Sequence, residues 1–161
     1  GLALTSRGLR VVVFYCRFAD PETQAVLSLL ESPLGEVLDA ASTGRLAEVG
    51  ELAWSPDSAV IVVLAADGYP GVPAKGGSIA GPRLFASDDA VHIAHAGTAG
   101  GEAGLTASGG RVLGVVGRGA DLGAARAAAY AAIDELDAPT LFCRRDIAER
   151  AASGQIATPA P

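Results

Sequence analysis

The residues that commonly build metal and disulfide sites are scarce in this chain. Its 161 residues include two cysteines, two histidines and no methionine. Cys16 and Cys143 lack the close spacing of zinc ligands, and we expect reduced thiols rather than a disulfide. His92 and His95 lie three apart in a predicted strand and would face opposite sides of it. We therefore expect a structural role for them instead of metal binding.

Basic residues are outnumbered, and long apolar runs are missing. Lys and Arg total 12 against 18 Asp and Glu, which gives a net charge of −6 without any basic tract. This balance argues against nucleic-acid binding. No run reaches the roughly 20 apolar residues that span a bilayer, and no signal peptide precedes Gly1. We therefore expect a cytoplasmic protein without nucleic-acid or membrane partners.

Aromatic residues are also few, at 5% of the chain, whereas hydrophobic residues reach 50% and glycines number 21. This composition predicts a core of small side chains with closely packed backbone. The length fits one domain, or one domain and a part of another. Because the sequence starts at Gly1 and contains no methionine, we expect a piece of a larger protein.

Hydrophobic periodicity and turn residues predict a mixed α+β fold. The first 15 residues read as a hairpin with a polar turn at 6–8. Later strands are predicted at 59–66, 91–95, 111–116 and 141–143. Helices are predicted from Pro21 onwards, with the helical region ended by Gly44 and Gly50, then at 121–136 and from Arg144 onwards.

Local signals refine this outline. Asp20, Ser32 and Asp121 are expected as helix N-caps, and Pro33 is expected to divide the first helical region in two. The glycine-rich run at 97–104 lacks the GK[ST] ending of a phosphate-binding loop, so a hairpin loop is predicted. The arginine pair at 144–145 is a weak anion-site signal, and salt bridges to surface carboxylates are its commoner role.

Residues 11–24, VVVFYCRFADPETQ, are the most informative segment of the sequence. A hydrophobic run leads into an arginine, an acidic turn with a proline, and a helix. By composition the run predicts a buried strand. Positions 13, 15 and 17 would then share one face of that strand. The acidic turn would start the helix, with its glutamate near the positive end of the helix dipole.

This segment resembles the signature near the end of the catalytic region in phosphoribosylamine–glycine ligases, which are ATP-grasp enzymes of purine biosynthesis. Seven residues match that signature in order: Arg17, Phe18, Asp20, Pro21, Glu22, Thr23 and Gln24. Further matches follow at Tyr69, Pro70, Gly71, Lys75, Gly76, Ile79 and Gly81, in HAGT at 95–98, in GGRVL at 109–113 and in RRDI at 144–147. The resemblance therefore covers nearly the whole chain.

The resemblance implies a particular α+β architecture. Residues 1–58 would be the C-terminal end of an ATP-grasp domain, with a strand hairpin and helices. Residues 59–156 would be the ligase C-terminal domain, a small mixed α/β unit similar to the C-terminal domain of biotin carboxylase. Residues 157–161 are expected to be a disordered tail.

The resemblance also implies a reaction, in which ATP drives the joining of glycine to 5-phosphoribosylamine to give glycinamide ribonucleotide, ADP and phosphate. Mg²⁺ or Mn²⁺ and ATP are the implied cofactors, and the N-terminal and ATP-grasp lobes of the same protein are implied partners. Arg17 is the implied catalytic residue and would border the substrates together with Asp20, Glu22 and Thr23. Arg17 would pair with a carboxylate or phosphate, and Asp20 or Glu22 with the ammonium group of glycine.

Three positions depart from the family signature. The glutamate and asparagine that would bind magnesium are Val13 and Tyr15 here, and a glycine is Ala19. Val13 has no donor atom, and the neutral phenol of Tyr15 is a poor ligand for a hard cation. We therefore expect no metal ligand at these positions. We also expect no ligase activity from this chain alone, because it has no nucleotide-binding lobe.

Three functions stay open at this point. The first is the C-terminal portion of a phosphoribosylamine–glycine ligase. The second is a catalytically silent relative that serves as a binding or assembly module, which Val13 and Tyr15 favour. The third is part of an ATP-grasp ligase with another amine or acid substrate, which the intact DPETQ disfavours. Each departure is one base change from the family residue, so decay, repurposing and sequence error are alternative origins.

Overall fold

The chain begins with a β-hairpin. The structure, a computed structural model, describes residues 1–5, 7–86, 88–102 and 104–156. Strand β1 (Leu2–Thr5) pairs with β2 (Gly8–Val11) in antiparallel register, with Leu2 opposite Val11. Gly8 has a φ of 88°, a left-handed conformation that favours glycine and closes the turn. The predicted hairpin is confirmed, although Ser6 of its turn lies outside the described residues.

The second strand ends earlier than predicted. Residues 12–15 form no strand, and the backbone N–H groups of Val12 and Val13 both donate to the Gly1 carbonyl, at 2.9 and 3.3 Å. The prediction of a buried strand whose face carries positions 13, 15 and 17 is therefore wrong, and all of residues 11–18 are exposed.

Two short helices follow, α1 (Glu22–Ser28) and α2 (Leu34–Ser42), and a 3₁₀ turn lies at Leu46–Glu48. Pro33 lies between the helices as predicted, but α1 already ends at Ser28, and the N–H groups of Glu31 and Ser32 donate to the Ala53 carbonyl. Both predicted caps are wrong: Pro21 and Pro33 themselves occupy the N-cap positions, without a side-chain cap. The hydroxyl of Ser32 instead accepts from the Ala53 N–H at 2.8 Å.

The rest of the chain contains most of the regular structure. Its strands are β3 (Ser58–Ala66), β4 (Ser78–Ile79), β5 (Val91–His95), β6 (Thr98–Gly101), β7 (Gly104–Ala107), β8 (Arg111–Gly119) and β9 (Leu141–Phe142). Its helices are α3 (Leu122–Asp134) and α4 (Glu149–Ala152). An antiparallel sheet has the order β5-β8-β3-β9, and a smaller one has the order β4-β7-β6. The predicted mixed α+β class is confirmed.

One face of the four-stranded sheet packs against α3. Gly117 lies opposite Val60 on β3 and Val91 on β5, so these residues share that face. A Cβ at Gly117 would lie 2.3 Å from the Ala125 carbonyl oxygen and 2.5 Å from the Ala129 nitrogen. The helix can approach the sheet this closely because glycine faces alanine. The predicted core of small residues is therefore found at this contact.

The opposite face of the sheet is partly covered by α1. Ile61, Val63, Gly114 and Val116 alternate with the residues that face α3, and α1 packs against β3 and β8 there. Arg118 ends this row, and it pairs with Asp57 at 3.1 Å. Helix α1, which directly follows the acidic turn, lies against β3 and β8 on this face.

The glycine-rich run is more regular than predicted. Residues 98–101 form β6, which pairs with β7 so that Thr98 lies opposite Ala107. The hairpin is confirmed, but the prediction that the whole run is a loop is wrong. Ala103 lies outside the described residues.

The C-terminal part is held to α3. Asp121 caps this helix as predicted, its carboxylate accepting from the Ala124 N–H at 2.8 Å. The hydroxyl of Tyr130 donates to the Arg144 carbonyl at 2.7 Å and accepts from the Ile147 N–H at 3.1 Å. These bonds hold residues 144–147 outside any helix, so the final helix starts later than predicted. The predicted tail at 157–161 lies outside the described residues.

Among the helices that the structure describes, none is both long and apolar enough to span a bilayer.

Candidate functional site

The acidic turn before α1 is fixed to the sheet by a long-range contact. Arg111, at the start of β8, donates to the Asp20 carbonyl at 3.1 Å and pairs with the Asp20 carboxylate at 3.1 Å. The other carboxylate oxygen accepts from the Gln24 amide at 3.1 Å. Both oxygens of Asp20 therefore bind groups of the protein itself. The two side chains of the ion pair are nearly half exposed. The pair therefore adds little to the free energy of unfolding, and its main effect is to hold the acidic turn against β8.

These residues surround a small cavity of about 30 Å³. Asp20, Gln24, Arg111, His95 and Ala96 are among its lining residues. Arg111 was not singled out from the sequence, although it lies within the GGRVL match, which was the signal that could have identified it. Asp20 is thus the only one of the candidate substrate residues that lines this cavity.

The other candidate residues lie along the rim of the turn. Arg17 is exposed, donates to the Phe18 carbonyl at 2.8 Å, and stacks its guanidinium 5.6 Å from the centre of the Tyr15 ring. Glu22 is exposed in the first turn of α1. Thr23 is half-buried, and its N–H donates to the Ala19 carbonyl at 3.4 Å. Arg17 and Glu22 are therefore accessible to small molecules.

Val13 and Tyr15 occupy the positions for which the family resemblance implies metal ligands. Val13 and Tyr15 are both exposed, and neither side chain supplies a carboxylate or an amide oxygen. Across the part of the chain that the structure describes, no group of three or more His, Cys, Asp or Glu side chains could hold an ion. The residues present do not fit magnesium.

His95 has the structural role predicted for it. Its Nε2 lies 2.8 Å from the Leu84 carbonyl oxygen, and its Nδ1 lies 3.3 Å from the hydroxyl of Thr98. Its ring stacks on Phe85 with the ring centres 5.4 Å apart. His95 therefore anchors the loop before β5 to the sheet.

Arg83 makes a second set of contacts that fix the loop before β5. Arg83 binds Asp88 on one side and Glu135, just after α3, at 3.0 Å on the other. The hydrogen bond from Arg83, together with backbone N–H groups of Val91 and Ala90, lowers the pKa of Asp88 below its ordinary value. Arg83 thereby connects the loop to the residues before β5 and to the C-terminal end of α3.

The arginine pair near the C-terminus forms surface salt bridges, as predicted. Arg144 pairs with Asp146 at 2.7 Å, and this hydrogen bond lowers the pKa of the carboxyl group. Arg145 pairs with Asp134 at 2.6 Å. Cys143, beside them, is a free thiol whose pKa is raised because it is partly buried. Its raised pKa makes this thiol a weak nucleophile at neutral pH.

Comparison with known proteins gives a consistent result. The family profile for the C domain of phosphoribosylglycinamide synthetase matches residues 59–150. A phosphoribosylamine–glycine ligase of Mycobacterium tuberculosis is 54% identical over 157 residues, or 97% of this chain and 36% of the relative. A ligase of the same name from Corynebacterium ammoniagenes is 48% identical over 156 residues.

A solved structure agrees with the sequence relatives. The phosphoribosylamine–glycine ligase of Thermotoga maritima superposes with a TM-score of 0.76 at 31% identity, over 91% of this chain and 35% of that one. The chain spans about 36% of the length of the curated relatives it matches. On this evidence the chain belongs to the phosphoribosylglycinamide synthetase family, in the part of it that includes the C domain.

Proposed function

We propose that the chain is the C-terminal part of a phosphoribosylamine–glycine ligase, which joins glycine to 5-phosphoribosylamine at the expense of ATP in purine biosynthesis. One observation carries the proposal: a ligase of that name is 54% identical over 97% of the chain. The ordered match from Arg17 to Gln24 supports it, as does the position of that segment beside Arg111. We place the reaction in the cytoplasm.

The division of the chain follows from the same proposal. Residues 1–58 would complete an ATP-grasp domain, and residues 59–156 would form a C-terminal domain like that of biotin carboxylase. The family profile begins at residue 59, and β3 begins at Ser58, which supports this boundary.

The geometry of the acidic turn suggests a division of roles. Asp20 would hold the acidic turn in position rather than bind substrate, because one of its carboxylate oxygens already binds Gln24 and the other binds Arg111. Glu22 is exposed and would receive the ammonium group of glycine. Arg17 keeps guanidinium N–H groups beyond its bond to Phe18, and these would bind a carboxylate or phosphate of the substrates as a fork. Thr23 would border the same substrates.

A second candidate function rests on the metal positions. Val13 and Tyr15 do not fit magnesium, and phosphoryl transfer in such enzymes depends on a metal to neutralise charge. A protein with these two residues would be a catalytically silent relative that serves as a binding or assembly module. We also propose that the present chain has no ligase activity by itself, because it spans 36% of the length of the ligase it matches.

A chimeric enzyme tests the first proposal. This chain would replace the corresponding C-terminal 36% of the Mycobacterium tuberculosis relative, with Val13→Glu and Tyr15→Asn. Both positions are exposed, so neither change disturbs the core. We expect ADP release that depends on both glycine and 5-phosphoribosylamine. The proposal is wrong if this folded chimera releases no ADP, or if another amine or acid substrate supports faster release than these two.

Two further chimeras serve as controls. Without the two restored residues, turnover should fall by about 100-fold or more, because a metal ion contributes several kcal/mol to the transition state. With them restored, Arg17→Ala should lower kcat/KM by about 100-fold, whereas Arg7→Ala, at an exposed position in the hairpin turn, should leave it unchanged. Equal turnover with and without restoration would reject the silent-relative alternative.

A further inference from the structure

Arg111 contacts both the backbone and the side chain of Asp20. Its NH1 donates to the Asp20 carbonyl oxygen at 3.1 Å, and its NH2 pairs with the carboxylate oxygen Oδ2 at 3.1 Å. A contact with the carboxylate alone would leave the backbone free to move around it. Because the planar guanidinium contacts two groups of one residue, it restrains both the position of the backbone and the direction of the side chain. Arg111 thereby fixes the acidic turn at the start of β8.

Gln24 extends this contact into α1. Its amide nitrogen donates to the other carboxylate oxygen of Asp20, Oδ1, at 3.1 Å. Gln24 itself lies in the first turn of the helix. Glu22 and Thr23 therefore lie between two residues that are bonded to each other and, through Arg111, to the sheet. The position of the exposed Glu22 side chain thus depends on a contact made from β8.

Arg17, the other exposed candidate residue, is held by different contacts. Its guanidinium donates to the Phe18 carbonyl at 2.8 Å and lies 5.6 Å from the centre of the Tyr15 ring. Both partners lie within two residues of Arg17, in the exposed segment before the turn. Loss of Arg111 should therefore displace Glu22 more than it displaces Arg17.

The cavity beside the ion pair is too small for a substrate. Its volume of about 30 Å³ is roughly the share of liquid volume that one water molecule takes. An amino acid such as glycine is larger and does not enter between Arg111 and Asp20. An influence of Arg111 on such a substrate would therefore act through the turn.

We propose that Arg111 is a positioning residue for the glycine site, and that it acts through Asp20 on Glu22. This inference rests on the proposed function, in which Glu22 receives the ammonium group of glycine. Arg111 keeps the acidic turn in the conformation that presents the Glu22 carboxylate before glycine arrives. Since the ion pair is nearly half exposed, its loss should change the affinity for glycine more than it changes folding.

Hydrogen exchange in this chain tests the positioning without any ligase activity. The Thr23 N–H donates to the Ala19 carbonyl at 3.4 Å at the start of α1, so its exchange rate reports opening of the turn. Arg111→Ala should speed exchange of this amide about tenfold. Arg145→Ala is the matched control, because Arg145 also forms an exposed ion pair, with Asp134 at 2.6 Å, but not with the acidic turn. It should leave the exchange rate of Thr23 unchanged.

The chimera with the two restored residues tests the effect on the substrate. There, Arg111→Ala should raise the KM for glycine about tenfold, while the KM for ATP and kcat change by less than about threefold. Arg111→Lys should raise the KM for glycine by about threefold, because lysine supplies a cation but does not form the two-point contact of a guanidinium. Arg145→Ala should change none of these constants.

A double variant separates positioning from direct contact with glycine. In a chimera that already carries Asp20→Ala, Arg111→Ala should raise the KM for glycine by less than about threefold, because the two residues act as one unit. The full tenfold rise in that background would show that Arg111 touches glycine itself, and would overturn the proposal. Should Arg111→Ala fail to fold, the smaller rise expected of Arg111→Lys decides the question.

Two other results would also overturn the proposal. They are an unchanged exchange rate of the Thr23 amide in Arg111→Ala, and an unchanged KM for glycine when Arg111→Ala is made in the active chimera. A folded chimera with both restored residues that releases no ADP would instead reject the proposed function. The exchange rates of the chain itself would then decide whether Arg111 positions the turn.

Discussion

Two hydrophobic segments of similar composition, VVVFY at 11–15 and VLGVV at 112–116, lie in opposite environments. Val12 and Phe14 are 68% and 84% exposed, whereas Val112 and Val115 are fully buried. The second segment is in β8, which has β3 on one side, β5 on the other and α3 across its face. In the first segment, Val11 pairs with Leu2 of β1, and residues 12–15 belong to no strand. Burial here follows from the neighbours of a strand, and not from its composition.

The comparison also separates stability from function. The buried sheet and α3 hold the fold together, whereas the exposed segment begins the stretch that resembles the family signature and continues to the proposed substrate residues. Arg111 joins the two, because it lies at the start of β8 and binds Asp20. Changes to the buried segment should therefore lower the free energy of unfolding, and changes to the exposed segment should leave it nearly unchanged.

Gly117→Val should give the largest effect. The added side chain would begin 2.3 Å from the Ala125 carbonyl oxygen, so α3 would have to leave the sheet. We expect a loss of about 4 kcal/mol or more in the free energy of unfolding, measured by chemical denaturation. Gly100→Val is the control, because a Cβ at Gly100 meets no atom within 4 Å. Equal stability of the two variants would show that the helix does not pack closely on β8.

Leucine truncation compares the buried sheet with the exposed N-terminal hairpin. Leu113 on β8 is 1% exposed and Leu9 on β2 is 57% exposed. Leu113→Ala should cost about 3 kcal/mol, through lost burial and a cavity. Leu9→Ala should change stability by less than about 0.5 kcal/mol. Similar losses from both, in the same denaturation experiment, would mean that the hairpin is as well packed as the sheet.

Substitutions of Asp121 and Asp20, the aspartates that precede α3 and α1, should change stability by smaller amounts than the glycine and leucine substitutions. Asp121 caps α3, so Asp121→Ala should cost about 1 kcal/mol, and Asp121→Asn should retain most of the cap. Asp20 does not cap α1 and forms an ion pair that is nearly half exposed, so Asp20→Ala should cost less than about 1 kcal/mol. Thermal unfolding of the three variants tests this order, and a larger loss from Asp20→Ala would reverse it.

The smallest of these effects on stability should come from protonation of Asp88, which lies just before the edge strand β5. Arg83 lowers the pKa of Asp88 in the folded state below the ordinary value of 3.8. The carboxylate therefore contributes stability above about that pH, and the contribution is lost as pH falls through the folded pKa. Asp88→Asn should reduce the drop in Tm between neutral pH and the region below pH 3.8. An unchanged acid drop in that variant would contradict the role of the Arg83 pair.

The sequence predicted the elements whose signals are local. Pro33 lies between two helices, at the N-cap of the second, and Asp121 caps α3 because its carboxylate reaches a nearby N–H. Strands β3 and β8 were identified from continuous apolar runs between glycine and proline turns. The surface pairing of Arg144 and Arg145 also followed from residue type. In each case the deciding contact lies within a short stretch of chain or on the surface.

The errors have a common physical origin in distant contacts. Asp20 looked like a cap, but its carboxylate binds Arg111, 91 residues away. The final helix was placed at Arg144, but Tyr130 of α3 holds that segment in another conformation. Local patterns contain no information about such partners, so the small cavity beside Asp20 could not be predicted.

Magnesium-dependent ATP binding tests the central claim most directly, namely the proposal that Val13 and Tyr15 replace the metal ligands that the family resemblance implies. Calorimetry would compare the chimera that carries Val13 and Tyr15 with the one that carries Val13→Glu and Tyr15→Asn. We predict that adding Mg²⁺ strengthens ATP binding by the restored chimera at least about tenfold more than by the unrestored one. An equal response of the two chimeras to Mg²⁺ would contradict this account.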